Sequence, residues 1–196
     1  MSNKNRIKEI FEDLGVLNYG HFLFTSGRHG STYMQCARLL EEPRYTEEVV
    51  KYILEEFQDE DIDIVVGPAI GGISLSYEYG RQLNVKSIFA EREDGEMILR
   101  RGFTIPEGAR VLIVEDVITT GGSVIEVVDL VENQGGDIVG IAVLVDRTAG
   151  EIDFGYRLVA GYSKKLGSYS PEECPICKEG NLTLEKPGSK KFSKAE

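Results

Sequence analysis

The chain has 196 residues, 41% of them hydrophobic, and a formal net charge of −11. That is enough for one α/β domain with small appendages, and the acidic balance argues against nucleic-acid binding through a broad basic face. No apolar run approaches the length of a membrane span, the first ten residues lack the apolar segment of a signal peptide, and three cysteines make no disulfide framework, so a cytoplasmic enzyme or binding protein is the expectation.

Residues 6–14 place Ile7, Ile10, Phe11 and Leu14 at helical spacing and close at Gly15. Residues 20–36 read as irregular chain or short strands. Pro43 suits the first turn of a helix that includes Val49, Val50, Ile53, Leu54 and Phe57. Residues 62–66 are a strand, 67–72 (GPAIGG) a glycine-rich loop, and a helix continues to Leu83 before a strand at 85–89. Residues 91–101, EREDGEMILRR, are charged and poorly periodic, as in a mobile loop or an exposed hairpin. A strand at 111–114, a helix at 123–133 stopped by Gly135-Gly136, and a long apolar strand at 138–145 follow. The alternation predicts a mostly parallel twisted sheet with helices on both faces. Ligands of such sheets sit beyond the C-terminal strand ends, which makes neighbours of the loops 67–72, 90–102, 115–122 and 146–148. From Ser163 the composition shifts towards lysine, so 163–196 reads as a separate appendage with a disordered tip from near Pro187.

The most informative stretch is 111–123, VLIVEDVITTGGS. An apolar run ends in two adjacent carboxylates, Glu115 and Asp116. The loop Val117, Ile118, Thr119, Thr120, Gly121 and Gly122 follows, and Ser123 opens the helix. Glycines permit a turn whose N–H groups converge, and a helix start adds unpaired N–H groups and a positive dipole end. Together with the Thr119, Thr120 and Ser123 hydroxyls they suit a phosphate monoester. The acids before the loop suit vicinal sugar hydroxyls, or a metal ion beside them. A ribose 5-phosphate group fits this order of donors. The glycine spacing is not that of a dinucleotide fingerprint, and no Gly-Lys-Ser/Thr makes it a P-loop.

Residues 115–123 closely resemble the phosphoribosyl diphosphate (PRPP) motif of type I phosphoribosyltransferases. The resemblance implies that Glu115 and Asp116 bind the ribose 2′ and 3′ hydroxyls and that 117–123 wrap the 5-phosphate. It implies pyrophosphate binding by Pro68, Ala69, Ile70 and Gly71, a loop of unusual peptide geometry in that family, and by Arg92, which on its own could equally serve a surface salt bridge. Residues 20–36 contain Phe22, Phe24, Ser26, Gly27, Arg28 and Tyr33 in a pattern similar to the orotate branch of the family. Arg147, just past the apolar strand, corresponds to the arginine that pairs with the orotate carboxylate there; a salt bridge to a nearby acid is the plainer alternative. The implied base site is Thr25, Ser26, Arg28, Tyr33, Thr120 and Arg147.

The resemblance covers about residues 5–160 and implies a phosphoribosyltransferase domain at 1–162, with a small base-binding hood at about 1–40. It further implies transfer of phosphoribose from PRPP to orotate, Mg²⁺ bound through the substrate, and a homodimer with active sites shared across the interface. The chain departs from the family's pattern at Thr25 and Gly71, where many members have lysine, and in the loop 91–101, which has no lysine. Arg100 and Arg101 are then the candidates for its electrostatic role. A purine-type transferase and a non-catalytic PRPP-sensing regulator are the competing readings.

Cys174-Pro175-Ile176-Cys177 is one half of a zinc-ribbon ligand set, and zinc takes four ligands. The others could come from Cys36, His21 or His29, or from the same pair of a symmetry mate. A redox pair and an ordinary turn with reduced thiols are the other readings, and His21 and His29 are placed near the base loop rather than among metal ligands.

Overall fold

The computed structural model describes residues 3–24 and 26–187. In chain order the elements are α1 (Asn3–Asp13), β1 (Leu17–Leu23), β2 (His29–Met34), α2 (Ala37–Leu40), α3 (Pro43–Leu54), β3 (Ile64–Pro68), α4 (Gly71–Leu83), β4 (Lys86–Glu93), β5 (Glu96–Leu99), β6 (Arg110–Ile118), α5 (Gly122–Asn133), β7 (Asp137–Asp146), β8 (Leu158–Ser163), α6 (Pro175–Glu179) and β9 (Leu184–Glu185). The main sheet runs β5-β4-β3-β6-β7-β8, parallel throughout except for the edge strand β5. A second sheet, β2-β1-β9, forms the hood.

Strand residues alternate between two buried faces. Leu112 and Val114 of β6 pack with Ile7, Ile10 and Phe11 of α1, Val49, Val50 and Ile53 of α3, and Leu75 and Tyr79 of α4. Val111 and Ile113 point the other way, to Val124, Val127 and Val131 of α5. Burial on both faces is why these strands are unbroken apolar runs. Pro43 stands in the first turn of α3, and Asn84 caps α4 in the left-handed region at φ 56°.

Three boundaries differ from the expectation. β6 does not stop at Val114. Its pairing with β7 continues through Glu115↔Val143, Val117↔Val145 and Ile118↔Asp146, so the acids lie within the strand. The ten-residue β7 supplies backbone partners past the apolar run, and tertiary pairing overrides the local change of composition. Of the two readings of 91–101, the exposed hairpin is the one the structure has, but its first strand starts earlier, at Lys86: β4 and β5 pair antiparallel and turn at Asp94 and Gly95, both with positive φ, the Asp-Gly pair that two-residue hairpin loops favour. β8 extends the sheet beyond the last predicted strand, and Gly161 lets it approach Ile53.

The appendage folds back on the hood. β9 pairs in parallel with β1, and Tyr169 exchanges backbone hydrogen bonds with His29. The tip expected beyond Pro187 lies outside the described residues. Among the described residues no helix is long and apolar enough to cross a membrane.

Candidate active site

At the C-terminal end of β6 the chain forms a small cup of about 40 Å³, lined by Glu115, Val117, Thr119, Thr120, Gly121, Gly122, Ser123 and Val124. Gly121 is the N-cap of α5 at φ 78°, a conformation costly for other residues, and a Cβ there would lie 3.0 Å from the Phe154 ring. No side chain caps α5. Its first-turn N–H groups therefore face the cup with the helix dipole behind them, which suits an anion.

The acids stand beside this cup. Glu115 is buried and its Oε1 accepts the Asp116 backbone N–H at 2.9 Å. Among the described residues neither acid makes a salt bridge. Burial, and then the neighbouring Asp116 charge, push the Glu115 carboxyl well above the ordinary carboxylate range. Burial raises Asp116 as well. Two adjacent carboxyls without a cation are a site for hydroxyl donors or for a hard metal ion such as Mg²⁺. Beneath them Cys36 directs its thiol at the Asp116 carbonyl, 3.5 Å away. Burial raises its thiol pKa, so it is a core residue, far from the role of ligand to the CPIC pair.

The turn after β3 faces the acids. A Cβ on Gly71 would fall on the Asp116 carboxyl, so the glycine leaves the room that this side chain occupies. Gly67 and Gly72 approach so closely that a Cβ on Gly67 would lie 2.7 Å from the Gly72 carbonyl oxygen. The Ala69–Ile70 peptide is cis, and Ile70 is 86% exposed at the tip beside Pro68.

The three arginines of the neighbouring segment are engaged elsewhere. Arg92 pairs with Glu126 of α5 at 2.6 Å and donates to the Gly95 carbonyl. Arg100 approaches Glu93 at 3.2 Å, and Arg101 approaches Glu91 at 3.2 Å while lying over the Phe89 ring.

A cleft of about 690 Å³ opens between the cup and the hood, lined by Leu23, Phe24, Ser26, Thr32, Tyr33, Met34, Thr119, Thr120, Arg147, Leu166, Ser168 and Pro187. Arg147 follows β7 and is half-buried. Its guanidinium lies 5.9 Å from the centre of the Phe24 ring, and its Nε has no partner among the described residues. The plainer reading of Arg147, a salt bridge with a nearby acid, is not met among the described residues. The adjacent Asp146 carboxylate is taken by Thr148 N and Oγ1, Gly150 N and Ser163 Oγ. These bonds also hold Asp146 low in pKa against its burial. Asp146 thus fixes the loop that presents Arg147, a positioning role that the sequence reading missed.

Of the other base-site candidates, Ser26, Tyr33 and Thr120 line this cleft. Tyr33 donates its hydroxyl to Gln35. Arg28 donates to the Ser168 hydroxyl at 2.8 Å and to its carbonyl at 2.6 Å, so its fork grips the appendage. Thr25 lies outside the described residues. A groove of about 750 Å³ on the far side of Tyr33 is lined by none of the loop residues 67–72 or 115–123.

His21 and His29 are corrected by the structure. Their ring nitrogens lie among the thiols of Cys174 and Cys177, with all four donor atoms within 4.8 Å of one another, a group that could hold a metal ion. Cys174 is the N-cap of α6, where no helix was expected.

Parallel strands that deliver an anion cup, an acid pair and a glycine turn to one edge are the organisation of a phosphoribosyl-handling protein. Residues 35–156 match the phosphoribosyl transferase domain family. The orotate phosphoribosyltransferase of Thermoanaerobacter sp. (strain X514) is 51% identical over 189 residues, 96% of this chain and 99% of that protein. The crystal structure of orotate phosphoribosyltransferase from Aeropyrum pernix aligns with a TM-score of 0.68 at 27% identity, over 80% of this chain and 93% of that one. Adenine phosphoribosyltransferase from Rhodothermus marinus aligns with a TM-score of 0.64 at 22% identity, over 81% and 99%, a likeness of fold alone. The chain belongs to the orotate phosphoribosyltransferase family.

Proposed function

We propose that this chain transfers the 5-phosphoribosyl group of PRPP to orotate, giving orotidine 5′-monophosphate and pyrophosphate. The observation behind the choice of base is Arg147, a half-buried guanidinium with an unpartnered nitrogen in a cleft that opens onto the phosphate cup. A fork of donors there suits a pyrimidine bearing a carboxylate. The name of the 51% identical relative specifies the same base.

In this reading residues 117–123 hold the 5-phosphate, and Glu115 and Asp116 hold the ribose hydroxyls. Residues 68–71 and Arg92 meet the pyrophosphate. Thr25, Ser26, Arg28, Tyr33, Thr120 and Arg147 surround the base. The C1′–O bond to pyrophosphate breaks, C1′ gains oxocarbenium character, and a ring nitrogen of orotate forms the new bond from the opposite face. Orotate is already an anion, so positioning and charge neutralisation do most of the catalysis. The acid pair stabilises the positive charge developing on the ribose. Arg100 and Arg101 bring positive charge to the leaving group when the hairpin closes; an arginine does not act as a general acid at neutral pH. Glu115 and Asp116 would stand beside a Mg²⁺ ion brought with the substrate, and the ion would add neutralisation of the pyrophosphate's charge. Zn²⁺ suits instead the nitrogen and sulfur donors at the hood.

Residues 1–162 form the catalytic domain and 163–196 its appendage, and the enzyme acts as a homodimer whose hairpin reaches the partner's active site. The test of the function is a panel of orotate, uracil, adenine, hypoxanthine, guanine and xanthine, each with PRPP and Mg²⁺. PRPP should be consumed with orotate. Turnover with a purine and none with orotate would replace the base assignment, and no turnover with any base would favour a PRPP-sensing role.

A further inference from the structure

The four side chains His21, His29, Cys174 and Cys177 come together from positions as much as 156 residues apart. The β1–β2 hairpin sets His21 and His29 side by side, with His21 Nε2 3.1 Å from His29 Nδ1. Cys174 Sγ lies 3.5 Å from His21 Nε2. Cys177 Sγ lies 3.5 Å from His21 Nε2 and 3.2 Å from His29 Nδ1. Both histidines and Cys174 are buried.

Hydrogen bonding alone does not account for this packing. One imidazole nitrogen either donates one proton or offers one lone pair, yet His21 Nε2 faces three donor atoms within 3.5 Å. A tetrahedral ion does account for it. With Zn–N near 2.05 Å and Zn–S near 2.3 Å, the edges of the tetrahedron are about 3.3 Å for N···N and about 3.6 Å for N···S. The observed separations fall within a few tenths of an ångström of these edges. The other ring nitrogen of His21, Nδ1, faces the Leu182 carbonyl at 3.4 Å, the second contact that orients a metal-bound imidazole. Two thiolates and two neutral imidazoles around Zn²⁺ also make a group of zero net charge, which tolerates burial.

The segment needs such a clasp. After Gly161, Cys174 is the one buried residue among the described residues of the appendage, α6 has five residues and β9 two. Apolar burial alone is too small to hold it. Yet the same segment builds one side of the cleft. Leu166 and Ser168 line it, Ser168 holds Arg28, and Tyr169 is paired to His29 itself.

We propose that His21 Nε2, His29 Nδ1, Cys174 Sγ and Cys177 Sγ form an intrachain structural zinc site that clasps the appendage to the hood and so fixes the wall of the base cleft. Four protein ligands close the coordination shell, which makes the site structural rather than catalytic. Its effect on substrate rests on the orotate reading above; its metal content does not.

The test begins with elemental analysis of the full chain purified without chelator, which should find about one zinc per chain. Growth with Co²⁺ should yield the intense visible bands of a tetrahedral ion and a near-ultraviolet thiolate charge-transfer band. Cys177 is exposed, so Cys177→Ser should fold while losing most of the zinc, and Cys177→His should retain it. In Cys177→Ser the orotate KM should rise about tenfold, roughly the cost of leaving one wall side chain unordered, with the PRPP KM little changed. Proteolysis between 164 and 185 should also quicken. Metal-free protein with no cobalt spectrum would overturn the site. One ion per two chains would overturn its intrachain form. Full zinc with an orotate KM indifferent to its removal would overturn the role in fixing the cleft wall.

Discussion

Arg147→Ala separates the choice of base from the rest of the site. The wild-type guanidinium is half-buried beside Phe24 with its Nε unpartnered, and the nearby carboxylate of Asp146 is fully used by Thr148, Gly150 and Ser163. A carboxylate entering the cleft would take two charge-assisted hydrogen bonds, each contributing about 1.5–3 kcal/mol. Half-exposure places the loss at the lower end, about 3 kcal/mol in total, or roughly a hundredfold in orotate KM. In the proposed site PRPP meets other residues, so its KM should change by no more than about threefold. Thermal stability should hold within about 1 kcal/mol, because among the described residues no ion pair is lost and only the stacking on Phe24 disappears. Steady-state kinetics with each substrate varied at saturation of the other, beside a melting curve, measures all three. An orotate KM that moves less than threefold, or in step with that of PRPP, would refute the assignment.

Asp116→Asn should cut turnover by orders of magnitude with the fold intact, and it should also change how stability depends on pH. Both acids have folded-state pKa values above the unfolded ones. Their contribution is therefore fully present below the ordinary carboxylate range and is lost as pH rises through the raised values. The melting temperature of substrate-free protein should fall across that window, and Asp116→Asn should flatten the fall; an identical pH profile would show that the pair is not strained. Gly67→Ala should instead damage the fold, since its methyl would meet the Gly72 and Val114 carbonyl oxygens at 2.7 and 2.9 Å, and a melting temperature within a degree of wild type would contradict that geometry. For the dimer, mixing Asp116→Asn chains with Arg100→Ala, Arg101→Ala chains should restore activity that neither has alone. A monomer in sedimentation, or no recovery after verified subunit exchange, would count against a shared site.

The strand, loop and helix around 111–133 were legible because both periodicities are clean there and the glycines mark the turn. Arg147 drew attention by its place directly after a buried strand and by its correspondence with the family's carboxylate-binding arginine, and the structure sets it on the wall of the cleft. The extension of β6 past the acids was not, since it depends on the length of β7, a property of the partner strand. The hairpin was legible only as one of two readings of 91–101, because the surrounding charge left a mobile loop equally open beside the Asp94-Gly95 turn signal. The engagement of Arg28 by Ser168 spans 140 positions, and no pattern in the chain announces it. The same holds for the histidines beside the CPIC pair. They stand eight residues apart, a spacing without meaning until the β1–β2 register sets them on one side of the hairpin.

The acids that hold Arg92, Arg100 and Arg101 cast the charge of −11 in another light. In the resting protein Glu126, Glu93 and Glu91 occupy these arginines much as a counterion occupies an exchange resin. A diphosphate that reached them would displace carboxylates rather than water, so its gain is a difference between two ion pairs. On the proposed assignment of these arginines to the pyrophosphate, affinity would be lower for that reason, but release would be easier, because each arginine leaving the product would have a partner waiting within a side chain's reach. An acidic surface around an anion site would then be a device for turnover, one that trades tightness of grip for speed of letting go.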